Sequence, residues 1–355
     1  MPPDIAPPDA RRLRAEAELG QLWSRGARFL GSRVAIMGGA MSWVSESRLV
    51  SAISNAGGFG VIACGSLGPD QLAAEIAATQ ARTAAPFGVN LITMHPQLAA
   101  LIGVCAAAGV GHVVLAGGVP SAAAVRGVKD GGARLVCFAP ALVLARRLVR
   151  SGADALIIEG SEAGGHIGPV SLTVLAQEIL PHMRDVPVFV AGGLGRGEAI
   201  LAHLEMGAAG AQLGTLFAAA RESVAHPRFK QALVRARSRD AVASVQLDDQ
   251  FPVIPVRALA NDGAKAFLAF QTEARDRVRS GALSREAAQL SIEHYWAGAL
   301  RRAVLEGDVE HGSVMAGQSV GMVGAELPAA EIIEDLVAQA VAALAARRQM
   351  FDQGY

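Results

Sequence analysis

Residues 155–169 read ALIIEGSEAGGHIGP, an apolar β-branched run that ends on a carboxylate, Glu159, and opens into a loop with four glycines and one imidazole, His166. The run has the composition of a buried strand, and the glycines mark its end. A strand that leaves through a glycine-rich loop into a helix-forming stretch is the repeating unit of parallel α/β proteins, so the fold turns on how often that unit recurs.

Eight such units are legible in the first 220 residues. The expected strands are 33–37 (RVAIM), 59–63 (FGVIA), 86–92 (PFGVNLI), 112–117 (HVVLAG), 133–139 (ARLVCFA), 155–160 (ALIIEG), 186–193 (VPVFVAGG) and 210–217 (GAQLGTLF). Ala/Leu-rich stretches fall between them, for example Ser45 to Asn55 and Pro69 to Ala81. Eight units in one chain fit a closed (β/α)8 TIM barrel better than an open doubly wound sheet, which has fewer units and reverses its strand order. The fourth and fifth strands lie close together, and the count depends on their being separate.

From His226 the rhythm changes. Residues 253–262 (VIPVRALAND) show no alternation, and Ala264 to Gly307 is mostly helix-forming. The expected organisation is a flexible lead (1–28), a barrel (29–225), a smaller, mostly helical appendage (226–311), and a glycine-rich return loop with a C-terminal helix from about Pro328 (312–355).

Acids and bases balance at 32 each and charged residues make up 18% of the chain, so no single-sign field gathers nucleic acid or an anionic membrane. A small-molecule substrate fits better. The N-terminus carries prolines and acids where a signal peptide needs an apolar core, which points to a cytoplasmic protein. The apolar stretch from Leu98 to Val119 is interrupted by Gly109, Gly111 and His112, as helix, turn and strand would be, and is not read as a membrane span. Cys64, Cys105 and Cys137 form no CxxC pair, so neither a disulfide framework nor a metal site is expected.

In such a barrel the working residues sit just after the strands, at their C-terminal ends. Three glycine-rich loops fall there: 159–168 after the sixth strand, 191–197 (AGGLGRG) after the seventh, and 213–215 (LGT) after the eighth. Glycine lets backbone N–H groups approach an anion closely, and the last two loops read together as a phosphate cup rather than as mere tight turns. Histidine as a side-chain type changes charge near neutrality, so an imidazole at 166 beside a cofactor is expected to give or take a proton. None of the other seven histidines has such a setting. Asn90, polar in the run FGVNLI, points to a ligand rather than to packing.

With these residues in place, the chain resembles the FMN-dependent nitronate monooxygenases, formerly 2-nitropropane dioxygenases, and the related flavin-dependent enoyl-ACP reductases of type II. The resemblance rests on 41–46 (MSWVSE), 54–62 (SNAGGFGVI), 86–91 (PFGVNL), 159–168 (EGSEAGGHIG), 190–197 (VAGGLGRG), 212–215 (QLGT) and 312–318 (GSVMAGQ). It implies a TIM barrel holding FMN, with His166 as the catalytic histidine. It further implies flavin contacts from Gly39, Ala40, Met41, Asn90, Glu159, Gly164 and Gly165, and a phosphate site from Gly192, Gly193, Gln212, Leu213, Gly214 and Thr215. Three departures stand out: Gly38 where relatives carry glutamine, Ser161 where they carry methionine, and Leu216 where they carry arginine.

The resemblance implies, first, oxidation of alkyl nitronates with molecular oxygen as co-substrate. Its alternative is enoyl-ACP reduction with NADH or NADPH as reductant, which MSWV and GDVEHGSVMAGQ favour and the lack of a basic patch for an acidic carrier protein disfavours. A third reading, suggested by Gly38 and Leu216, is a flavin-binding protein without activity. A homodimer stays open.

Overall fold

The computed structural model describes residues 8–248 and 253–352; residues 1–7 of the expected lead lie outside them. Eight parallel strands form the central sheet: β1 (Ile36–Gly38), β2 (Val61–Ala63), β3 (Gly88–Ile92), β4 (His112–Ala116), β5 (Arg134–Phe138), β6 (Ala155–Glu159), β8 (Val188–Ala191) and β9 (Gly210–Leu213). Their order, β1-β9-β8-β6-β5-β4-β3-β2, closes on itself because the Phe59 amide donates to Ile36 O and the Gly38 amide to Phe59 O, both over 2.9 Å. The fold is therefore a (β/α)8 TIM barrel. β4 and β5 are separate strands, joined through the helix Ala122–Asp130.

Strands of this kind are covered on both faces, which is why β6 and β8 read as continuous apolar runs rather than as alternations. The intervening helices start where the sequence supplies caps. Glu46 accepts from the amides of Arg48 (3.0 Å) and Leu49 (3.3 Å) at the head of Ser47–Asn55, and Pro69 opens Pro69–Gln80. The apolar stretch from Leu98 to Val119, expected as helix, turn and strand, holds the helix Leu98–Ala107, a turn at Gly109 with φ +66°, and β4. Among the described residues no helix is long and apolar enough to cross a membrane. All three cysteines are buried, and burial pushes Cys64 up to about 11 and Cys105 and Cys137 up to about 12, so these thiols serve packing.

Three expectations change. The lead is not a flexible segment from residue 8 onward: Pro8–Leu22 and Ser24–Leu30 are helices, and the first lies along the C-terminal helix Ala329–Asp352. Ala15, Leu19 and Trp23, four residues apart, form the buried stripe that anchors it. The last barrel strand stops at Leu213 instead of running to Phe217, because Gly214 turns the chain into the short helix Thr215–Ala218.

The third change concerns the appendage. Its helices, Asp262–Arg279 and Arg285–Arg301, enclose their own apolar cluster of Phe267, Ala288, Ile292 and Trp296 with Val256. It also carries two strands, β10 (Ala241–Ala243) and β11 (Val256–Leu259). They pair antiparallel, and β11 pairs in turn with a two-residue strand, β7 (Gly165–His166), set in the loop after β6. A partner about ninety residues away and only two residues long leaves no local pattern, so 253–262 showed none.

Candidate active site

The expected contact residues lie on strand ends or within two or three residues after them, except Asn90, which sits midway along β3, and Gly164 and Gly165 of the His166 loop. Asn90 is in β3, Glu159 ends β6, Gln212 and Leu213 end β9, and Gly39, Gly192 and Gly214 each follow a strand directly. The loops after the first and last strands touch. The Gly39 amide donates to Leu213 O over 2.8 Å, the Ser45 hydroxyl donates to Gly39 O over 2.8 Å, and the same hydroxyl accepts from the Met41 amide over 3.0 Å. A Cβ on Gly214 would stand 3.6 Å from the Met41 sulfur.

The residues proposed for a phosphate group fit one. Gly192 (φ +96°) and Gly193 (φ +69°) take left-handed conformations that an L side chain rarely adopts, and a Cβ on Gly192 would lie 2.9 Å from Gly160 O. Among the described residues the amides of Gly192, Gly193 and Gly214 have no protein acceptor, so two donors after β8 and one after β9, just before the helix Thr215–Ala218, stand open. A cavity of about 350 Å3 adjoins Gly192 and Gly193, with Glu162, Thr173, His203 and Gln318 in its wall. The Glu162 carboxylate is already engaged, accepting from the Leu172 amide at 3.0 and 3.3 Å. Leu216 brings no charge to these amides, so an anion placed here would be met by backbone N–H groups.

Deeper in the mouth, Asn90 is buried and donates to Val114 O over 3.3 Å. Glu159 keeps some exposure toward the mouth, yet burial of its carboxyl pushes its pKa from the ordinary 4.5 up to about 7. A carboxyl so placed is substantially protonated at neutral pH and can donate a hydrogen bond as well as accept one.

His166 is held from outside the barrel. Its backbone pairs with Val256 in β11, the next amide, Ile167, donates to Pro255 O over 2.9 Å, and Gly165 turns the chain with φ +76°. Arg257 clamps the same loop, with Nε donating to Ser161 O (3.0 Å) and Nη1 to Ala241 O (2.6 Å). The imidazole Nε2 lies 3.1 Å from Glu293 Oε2, with the two side chains 44% and 42% exposed. The histidine thus sits in a strand rather than in a free glycine loop.

Four participants escaped sequence reading. Glu293 is one charge on an amphipathic helix, indistinguishable there from a solvated one, and Arg257 falls in a run without pattern. Gly317, in the return loop, donates to Thr215 Oγ1 over 3.0 Å, and a Cβ on Gly164 would meet Ala316 C at 2.5 Å, so this loop packs directly against both residues. Trp43, inside the quoted MSWVSE, takes φ +66°, the one non-glycine residue among those described to do so. Its Nε1 is buried without an acceptor, and the Arg301 guanidinium lies 5.9 Å from the centre of its ring.

A family model described as nitronate monooxygenase matches residues 27–102 and 99–339. Among characterised proteins the chain is similar to the (3aS,4S,5R,7aS)-5-hydroxy-7a-methyl-1-oxo-octahydro-1H-indene-4-carboxyl-CoA dehydrogenase of Mycobacterium tuberculosis, 30% identical over 329 residues that cover 85% of this chain and 91% of that one. It is also similar to the nitronate monooxygenase of Paraburkholderia phytofirmans, 28% identical over 359 residues, 86% of this chain and 92% of that one. Of solved structures, FabK from Thermotoga maritima superposes with a TM-score of 0.81 at 33% identity, covering 92% of this chain and 98% of that one.

Proposed function

Because the chain belongs to the nitronate monooxygenase family, whose relatives here are oxidoreductases, we propose that it is an FMN-dependent oxidoreductase acting on an acyl thioester, moving a hydride and a proton to or from carbons near the thioester carbonyl. The observation that supports the choice of substrate class is the imidazole of His166, nearly half exposed in the loop after β6 and so open to a substrate. Hydride exchange at a thioester needs a partner proton exchanged by a side chain, whereas an alkyl nitronate arrives already deprotonated. The CoA thioester in the name of the Mycobacterium tuberculosis relative supports the same class.

FMN, when bound, supplies the hydride chemistry, with NADH or NADPH as the reductant in the reducing direction. Gly192, Gly193 and Gly214 would hold its phosphate through their open amides, with Thr215 beside them, and Gly39, Ala40, Met41, Asn90, Glu159 and Gly164 would line the remainder of the cleft. His166 exchanges the proton, and the return loop is tied to the phosphate site through the bond from the Gly317 amide to Thr215 Oγ1.

A second reading, oxidation of alkyl nitronates by oxygen, is favoured by the family match and by the Paraburkholderia phytofirmans relative. Anaerobic reduction of the purified protein with NADH or NADPH, followed by crotonyl-CoA, separates the two. Reoxidation of the flavin by the thioester supports the first reading. Turnover of propyl-1-nitronate under air with no response to the thioester overturns it, and a colourless protein that takes up no added FMN overturns both.

A further inference from the structure

We propose that Arg257 is a positioning residue for His166: its guanidinium, anchored on the appendage, sets where the loop that carries the imidazole stands relative to the barrel mouth. The inference deepens the reading of His166 as the acid and base, and rests on it. The loop leaves β6 at Glu159 and is drawn shut at Ser161, whose amide donates to Val170 O over 2.8 Å. Beyond that neck the tip is paired to β11: Gly165 faces Arg257, His166 faces Val256, and the Ile167 amide donates to Pro255 O over 2.9 Å. Arg257 Nε reaches the neck itself and donates to Ser161 O over 3.0 Å, while Nη1 donates to Ala241 O in β10 over 2.6 Å.

The bond to Ala241 O fixes the guanidinium on its own hairpin, since β10 and β11 pair antiparallel, and the bond to Ser161 O carries that fixed point to the loop. One short stretch of β11 therefore holds the loop at neck and tip together. The grip on the neck is made by a side chain and the grip on the tip by backbone, so Arg257 is the place where a substitution can loosen it. Two carbonyls in different elements suit a guanidinium, whose N–H groups are fixed in one plane, and not an ammonium, which is a point charge on a flexible stem. Burial holds the pKa of Arg257 below the usual arginine range against the pull of the Glu162 charge, so the side chain has exchanged water for its two carbonyl partners. With the neck released, Gly160, Gly164 and Gly165 leave the loop free to shift, and a displacement of about 1 Å at the reacting atoms is enough to slow a reaction about 10²-fold.

The test is Arg257→Ala beside Arg257→Lys. With crotonyl-CoA and NADH, or with propyl-1-nitronate under air, kcat of Arg257→Ala should fall about 10- to 100-fold, while KM and the affinity for FMN, read by fluorescence quenching, stay near the parent values. Lysine should restore little of the loss, and added ethylguanidinium chloride should restore turnover to Arg257→Ala where sodium chloride does not. Amide exchange should quicken across residues 160–168 and hold elsewhere in the barrel. An unchanged kcat in Arg257→Ala overturns the inference. So does full turnover in Arg257→Lys, which would need only a charge. A drop in FMN affinity or melting temperature with no rescue by ethylguanidinium also overturns it, by making Arg257 merely structural. His166→Ala, assayed alongside, keeps the failures apart: full turnover in that variant refutes the acid–base reading itself and the inference with it, whereas its loss beside an unaltered Arg257→Ala refutes only the positioning role.

Discussion

The amide of Gly317 donates to Oγ1 of Thr215 over 3.0 Å, a bond between residues 102 positions apart that bolts the return loop to the proposed phosphate site. Both groups are buried. Thr215→Val removes the acceptor and leaves a buried N–H unpaired, at a cost of about 1–3 kcal/mol. Thermal unfolding of the flavin-free protein should show the melting temperature falling for Thr215→Val and recovering for Thr215→Ser. Equal melting temperatures in all three proteins would remove the bond from the stability argument.

Gly214→Asp should abolish FMN binding while the barrel stays folded. Gly214 has φ −110°, open to any residue, and its Cβ would meet only the Met41 sulfur at an ordinary 3.6 Å. A carboxylate there opposes the phosphate at close range, where like charges about 4 Å apart repel by about 4 kcal/mol, so affinity should weaken at least a hundredfold. The uncharged Gly214→Asn is the control. Gly193→Asp is the poorer variant, because φ +69° and a Cβ 2.9 Å from that of Glu162 would confound the charge with backbone strain. FMN titrated by fluorescence quenching decides, and undiminished binding by Gly214→Asp would place the phosphate elsewhere.

Glu159 gives the flavin-free protein a defined pH dependence. Its folded pKa is raised from 4.5 to about 7, so ionising it costs more in the folded state than in the unfolded one. The linked stability is intact below about pH 4.5 and drains away as pH rises toward and through 7. Glu159→Gln removes the titration, so the melting temperature of the variant relative to the parent should climb between pH 5 and 7 and level off above. Parallel curves across that range would mean that the carboxyl is not held neutral.

His166→Ala should retain FMN, because the imidazole is nearly half exposed and the phosphate site is built from other loops. Turnover should fall by about 10²- to 10⁴-fold, the usual consequence of losing a positioned acid or base. Loss of the yellow colour on gel filtration would make the residue structural instead.

The sequence by itself determined the barrel and the composition of its mouth. Parallel strands buried on both faces must be apolar along their length, and the loops that meet a phosphate must spare their side chains, so β6, β8 and the glycines at 192, 193 and 214 announce themselves locally. Periodicity also governs the first helix, where Ala15, Leu19 and Trp23 carry the stripe that prolines and charges obscured. What only the tertiary structure decided is who holds His166. Glu293, Arg257, Val256 and Gly317 reach the site from 90 or more residues away, through one side-chain contact, one clamp, a two-residue strand and a single amide. Contacts so few and so distant impose no period and no composition on the segments that supply them, and the chain must fold before they exist.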